Sequence, residues 1–177
     1  MRLLAALVLA LVSVAPLAAA APAPAAGPLL TLDTSKGPIV IRLRPDLAPK
    51  AAERLATLAR QGFYDGVVFH RVIAGFMAQT GDPTGTGTGG SKLPDLKAEF
   101  TKTPFVRGTV GMARAASPDS ANSQFFICYA RAPWLNGQYT VVGEVVSGME
   151  NADKLKKGAG EEGMVSDHPD RVVKATV

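Results

Sequence analysis

The side chains with the most chemistry to offer lie in FHRVIAGFMAQTGDPTGTGTGG, residues 69–90. His70 could carry a proton, and Arg71 could hold an anion or stabilise developing charge. The glycine-rich stretch 81–90 beside these basic groups has the composition of a phosphate cradle. Two phosphate motifs come close there. Residues 85–92 read GTGTGGSK, which has P-loop glycines but ends in Ser-Lys instead of Lys-Ser/Thr. A dinucleotide fingerprint can also be cut from residues 85–90. Both motifs need a helix opening directly after the glycines, so that its amides face the phosphate. Pro94 and the polar run PDLKAE follow instead, without apolar periodicity. A sharply turning loop whose backbone passes close to something is therefore the stronger reading.

Other constellations are poorer. Two histidines, His70 and His168, and one cysteine, Cys128, are too few for a His- or Cys-rich metal site. There is no G-x-S-x-G nucleophile elbow. His70 alternates with Phe69 and Arg71 and is expected on the opposite strand face, as a partly buried, satisfied imidazole. His168, in DHPD, is expected in a turn. What converges is a different set. On strands, Arg71 would share a face with Phe69, Met77 with Gln79, and Gln124 with Phe126. Neighbouring strands would then gather an arginine, two glutamines and an apolar patch, with Trp134 and Leu135 of the turn-like PWLNG as a wall. Core packing explains Met77, Phe126 and Trp134. It does not explain Arg71 with two glutamines.

The elements that must hold these residues are mostly strands. Residues 30–33 and 39–43 alternate apolar and polar around the turn-rich TSKGP, which reads as a hairpin. Ala48, Ala51, Ala52, Leu55, Leu58, Ala59 and Gly62 recur at helical spacing, with Pro49 suited to the first turn. Strands are expected at 67–72, 76–80, 109–113, 124–128, 139–146 and 171–177, and a second helix at 148–157. Many short strands with two helices indicate an antiparallel barrel or sandwich.

The chain has 177 residues, enough for one domain. Its first part is expected to be removed: Arg2, the apolar run 3–14 and the small residues Ala18, Ala19 and Ala20 form a secretory signal pattern over residues 1–20. An uncleaved membrane anchor is the competing reading. Residues 21–28, APAPAAGP, read as a flexible spacer, and 29–177 as the domain. That pattern implies an exported, periplasmic or secreted protein, soluble and without stable membrane association. Lone Cys128, in the run FFIC, is expected to pack as a buried hydrophobe. A formal charge of +4 without clustered basic residues does not favour nucleic acid as a partner.

Residues 69–90, then GMARAASPDSANSQFFICYARAPWLNGQYTVVGEV and the ending PDRVVKATV, resemble the cyclophilin family of peptidyl-prolyl cis-trans isomerases. The resemblance implies a mainly β fold, an eight-stranded antiparallel barrel closed by two helices, with the site on its outer face. It implies that Arg71 is the catalytic arginine and that Phe76, Met77, Phe126 and Leu135 form a proline pocket. Gln79, Ala113, Gln124 and Trp134 would line the peptide groove, with Tyr139 at its end. It further implies no cofactor or metal, Pro-containing polypeptides as partners, cyclosporin-type cyclic peptides as a possible ligand, and a monomer. Where the family commonly has a histidine, a proline, an asparagine and a phenylalanine, this chain has Tyr139, Ala74, Arg114 and Val142. Arg114 is expected to add charge favouring acidic flanking residues, Tyr139 to alter peptide preference, and Val142 to adjust the core. The alternative function is a non-catalytic proline-peptide-binding chaperone module.

Overall fold

The computed structural model describes residues 27–177, so the expected leader 1–20 and most of the spacer 21–28 lie outside the described residues. The alternation read from the sequence becomes a hairpin of β1 (Leu29–Thr34) and β2 (Gly37–Leu43), with Thr34 opposite Gly37. Thr34 Oγ1 pins the turn by donating to the Gly37 carbonyl at 2.6 Å and accepting from the Lys36 amide at 3.1 Å. Leu30, Leu32, Ile39, Ile41 and Leu43 are fully buried.

Helix α1 (Pro49–Arg60) starts at the expected proline and buries Ala51, Ala52, Leu55, Ala56, Leu58 and Ala59. Its N-cap residue, Ala48, has no capping side chain. The Glu99 carboxylate does that work from afar, accepting the Lys50 and Ala51 amides at 3.1 and 2.9 Å.

The remaining elements are β3 (Arg71–Ile73), β4 (Met77–Thr80), β5 (Thr109–Met112), β6 (Phe125–Cys128), a 3-10 turn (Pro133–Leu135), β7 (Val141–Ser147), α2 (Met149–Asp153) and β8 (Val172–Thr176). The strands form one sheet in the order β3-β4-β6-β5-β7-β2-β1-β8, every pairing antiparallel. The sheet curls until its outer strands approach. Val68 bridges Arg171, the Phe69 amide donates to the Asp170 carbonyl, and the Val172 amide donates to the Val67 carbonyl, both at 2.8 Å. Edges that would otherwise invite pairing with another chain are thereby joined.

Inside lies the main apolar cluster, fed by β1, β2, α1, Ala152 of α2, Val110, Phe125, Ile127 and Val142. Val142 is thus a core residue, as expected. A second cluster lies on the other face of the sheet: Met77, Phe105, Phe126, Cys128, Ala132, Leu135 and Val141. This explains the unbroken apolar run FFIC. Strand β6 is buried on both faces, so alternation vanishes from its sequence.

Several boundaries differ from the sequence reading. Residues 67–70 are not regular strand, because they leave the sheet edge to bridge residues 170–172. The two-residue alternation therefore breaks before Arg71, and Phe69 belongs to the inner cluster, away from Arg71's face. Helix α2 covers five residues rather than ten. His168 lies in the expected turn region, with φ +46°.

Candidate active site

Strand register assembles the site. Arg71 of β3 stands opposite Gln79 of β4, Gln79 opposite Phe126 of β6, and Phe126 opposite Gly111 of β5. Four strands thus present one cross-strand row on the outer face. Gly111 has to lack a side chain: a Cβ there would come within 2.5 Å of Phe126 Cζ and 2.7 Å of Phe105 Cε1. The next row, Ile73, Met77 and Cys128, lies alongside.

Polar contacts run along the first row. Arg71 NH1 donates to Gln79 Oε1 at 3.5 Å, and Arg71 Nε to the Glu162 carbonyl at 2.9 Å. Gln79 Nε2 donates to Gln124 Oε1 at 2.8 Å. Gln124 Nε2 in turn donates to the carbonyls of Gly87 and Gly89, at 3.1 and 2.8 Å. The arginine is therefore linked through two amides to the glycine-rich loop.

That loop does cradle an anion, but the anion is the protein's own. The fully buried Asp82 carboxylate accepts the amides of Thr84, Thr86 and Gly87, at 2.8, 3.1 and 2.6 Å, and the Thr84 hydroxyl at 2.8 Å. Burial alone would push this carboxyl up; hydrogen bonds from Thr84, Gly89 and Gly87 outweigh it and hold the pKa at about 2. The amides that a phosphate would need are already engaged.

Beside the polar row lies an apolar hollow. Met77, Phe126 and Leu135 are buried, Phe76 partly so, and Trp134 stands 62% exposed as the expected wall. The Phe76 and Trp134 rings are 5.6 Å apart, and Tyr139 meets Phe126 edge-on at 5.7 Å. Together with Arg71, Gln79 and Ala113 these residues line an open cavity of about 510 Å³. A second cavity of about 520 Å³ continues past Ala113 and Arg114 and includes Gln124, Asn122 and Gly89. All ten candidate residues thus line one or other of two adjoining cavities that share Gln79, Ala113 and Arg114.

The sequence reading missed Thr86, Thr88, Glu162 and Met164, which also line the first cavity. The threonines could have been found from the glycine run they interrupt; Glu162 and Met164 carry no local signal. His70 needs a correction. It is 1% exposed and borders the same cavity as Arg71, and neither ring nitrogen has a hydrogen-bond partner. Its ring lies against Gly87, where a Cβ would be 3.5 Å from Cδ2. Burial pushes its pKa down, Asp82 opposes that, and Arg71 adds to it. His70 is therefore neutral at pH 7. Cys128 is inert as well: burial pushes its thiol up to about 12.

A donor-bearing arginine beside an apolar pocket is chemistry suited to a planar amide flanked by a ring. Residues 29–177 match the family described as cyclophilin type peptidyl-prolyl cis-trans isomerase/CLD, and the chain belongs to that family. It is 55% identical over 157 residues to a protein of Brucella suis named "Probable peptidyl-prolyl cis-trans isomerase", covering 82% of this chain and 80% of the relative. Peptidyl-prolyl cis-trans isomerase-like 1 of Aspergillus fumigatus is 45% identical over 130 residues, covering 71% and 80%. A Cryptosporidium parvum cyclophilin, solved in the presence of the dipeptide Ala-Pro, superposes with a TM-score of 0.77. It is 29% identical, and the match covers 85% of this chain and 98% of that one. The activity is peptidyl-prolyl cis-trans isomerisation.

Proposed function

We propose that Arg71 donates to the prolyl nitrogen as the X-Pro bond twists, while the proline ring sits among Phe76, Met77, Phe126 and Leu135. Gln79, Ala113, Gln124, Trp134 and Tyr139 line the path of the flanking peptide. No covalent bond forms or breaks. Unaided, the bond crosses a barrier of ~18–20 kcal/mol in tens to hundreds of seconds. Twisting destroys the amide resonance and returns a lone pair to the nitrogen. A donor aimed there binds the twisted state better than either planar one, which lowers the barrier. The observation that carries the reading is that Arg71 and the apolar hollow border one cavity.

Acceleration to the millisecond range requires about 10⁴-fold, or ~5.5 kcal/mol. One charged hydrogen bond supplies ~1.5–3 kcal/mol. The balance falls to the apolar walls, which strip water from the amide, and to the groups that hold the flanking backbone. The test is cis-to-trans kinetics of an Ala-Pro peptide with wild type and Arg71→Ala. Equal rates would remove Arg71 from the mechanism, and no acceleration by wild type would leave a binding module.

The finer reading is a bacterial, exported, monomeric folding catalyst acting on unfolded or flexible Pro-containing chains in the periplasm. The leader pattern of residues 1–20 supports it, and loss of export on deleting them is the expected result. Arg114, which lines both cavities, adds positive potential that favours acidic flanking residues. Exposed Trp134 supports affinity for cyclosporin-type cyclic peptides, which inhibition of turnover would measure.

A further inference from the structure

Arg71 has five N–H donors, and what its inner donor touches decides where the outer ones point. The contact to Gln79, at 3.5 Å, is at the limit of a hydrogen bond. The firmer one runs from Nε to the Glu162 carbonyl at 2.9 Å. Glu162 belongs to GAGEEGM, residues 158–164, a loop tied along β3 as though it were a further strand. Met164 bridges both Arg71 and Ala159. The Val72 amide donates to the Gly163 carbonyl at 2.8 Å, the Gly158 amide to the Val72 carbonyl at 2.9 Å, and the Val165 amide to the His70 carbonyl at 2.9 Å.

Two glycines permit this closeness. Gly163 has φ +66°, and a Cβ on it would sit 2.3 Å from Ile73 Cγ1. A Cβ on Gly158 would sit 2.0 Å from the Gly163 carbonyl oxygen. Larger residues at either position would lift the loop off β3 and take the Glu162 carbonyl with it.

We propose that residues 158–164 are a positioning strap for Arg71. The Glu162 carbonyl engages Nε and fixes the plane of the guanidinium, leaving the terminal nitrogens for Gln79 and the substrate. The inference rests on Arg71 being the donor to the prolyl nitrogen. A backbone carbonyl neither titrates nor rotates freely, so the orientation is set before substrate arrives, which is how preorganised donors lower a barrier. Lysine at position 71 would keep the charge and lose the strap, because it has no Nε–H.

The strap can be tested in the wild-type protein without substrate, by the rate at which the Arg71 Nε–H exchanges with water in ¹⁵N NMR. Exchange about tenfold slower than that of the exposed Arg60 is expected, and equal rates overturn the proposal. Gly163→Ala should lower kcat about tenfold and leave KM within about twofold. In an Arg71→Lys background the same substitution should change kcat by less than about twofold. Equal losses in both backgrounds would make the loop general scaffolding and overturn the proposal. Should Gly163→Ala fail to fold, the exchange measurement decides alone. Full activity of Arg71→Ala would sink the catalytic reading whatever the exchange rates show, so the two failures are distinguishable.

Discussion

Arg71 and Arg114 border the same cavity, yet their guanidinium groups are engaged in different ways. Arg71 makes one firm bond through Nε and one marginal bond to Gln79. Arg114 directs Nε and NH2 to the Gln138 carbonyl at 3.1 and 2.9 Å, and NH1 to the carbonyls of Ala115 and Ala116 at 3.0 and 3.3 Å. Its guanidinium carbon also lies 4.6 Å from the centre of the Tyr139 ring. One arginine leaves most of its donors without a protein partner; the other has nearly all of them filled by its own backbone. Arg114 fastens the loop around 115–116 to Gln138 and Tyr139, and under the function proposed above it would act on substrate through its charge and not by contact. Chemical identity alone does not make an arginine catalytic. What counts is which donors the fold leaves open.

The contrast can be broken most directly at Arg71. Arg71→Ala should lower kcat/KM roughly 10- to 150-fold, the rate equivalent of one charged hydrogen bond, with the fold intact by circular dichroism. A comparable loss in Arg114→Ala would erase the distinction. Beside Arg71, acid should act through neutral His70. Its folded-state pKa lies below the ordinary value, so the stabilisation is complete above about pH 6.5 and is lost as pH falls toward the folded value. The unfolding free energy from denaturant titration should drop on going from pH 7.5 to 5, by at most ~1.4 kcal/mol per pH unit, and His70→Gln should flatten that slope. Arg114→Ala should lower stability by about 1 kcal/mol, since the freed carbonyls are exposed and can turn to water. It should also change kcat/KM for an Ala-Pro peptide less than about threefold. The smallest effect is electrostatic preference: a Glu-flanked peptide should lead a Lys-flanked one by a few-fold at low salt, and the lead should shrink at 0.5 M salt and vanish in Arg114→Ala.

Much of this site could be read from residues alone, and the part that could not has a common cause. Two-residue periodicity correctly grouped Met77 with Gln79 and set both near Gln124 and Phe126, because β4 is regular strand and β6 starts one residue after Gln124. The same rule misplaced Phe69, where the chain leaves the sheet to close the barrel. Helix α1 was legible from its alanines and Pro49, but its cap, Glu99, is supplied from 48 residues further along the chain. The partners of Arg71 and Arg114 are likewise backbone carbonyls, Glu162 and Gln138, at separations of 91 and 24 residues. A carbonyl has no residue-type signature, so only the fold reveals it. The glycine run was half legible. Its cradle geometry is real, and what a motif search could not show is that Asp82 already occupies it.

The bridge between Val68 and Arg171 has a kinetic side. Strand β8 pairs with β1 and meets residues 67–68, so the last strand of the described chain is what closes the ring. No earlier stretch can complete the barrel on its own, and most of the pairings that matter join residues far apart in the chain. High contact order of this kind slows folding. A chain emerging from a ribosome therefore stays open until residues 172–176 are available. That delay is a hazard for aggregation, and an asset for any polypeptide that must be threaded through a narrow pore before it folds.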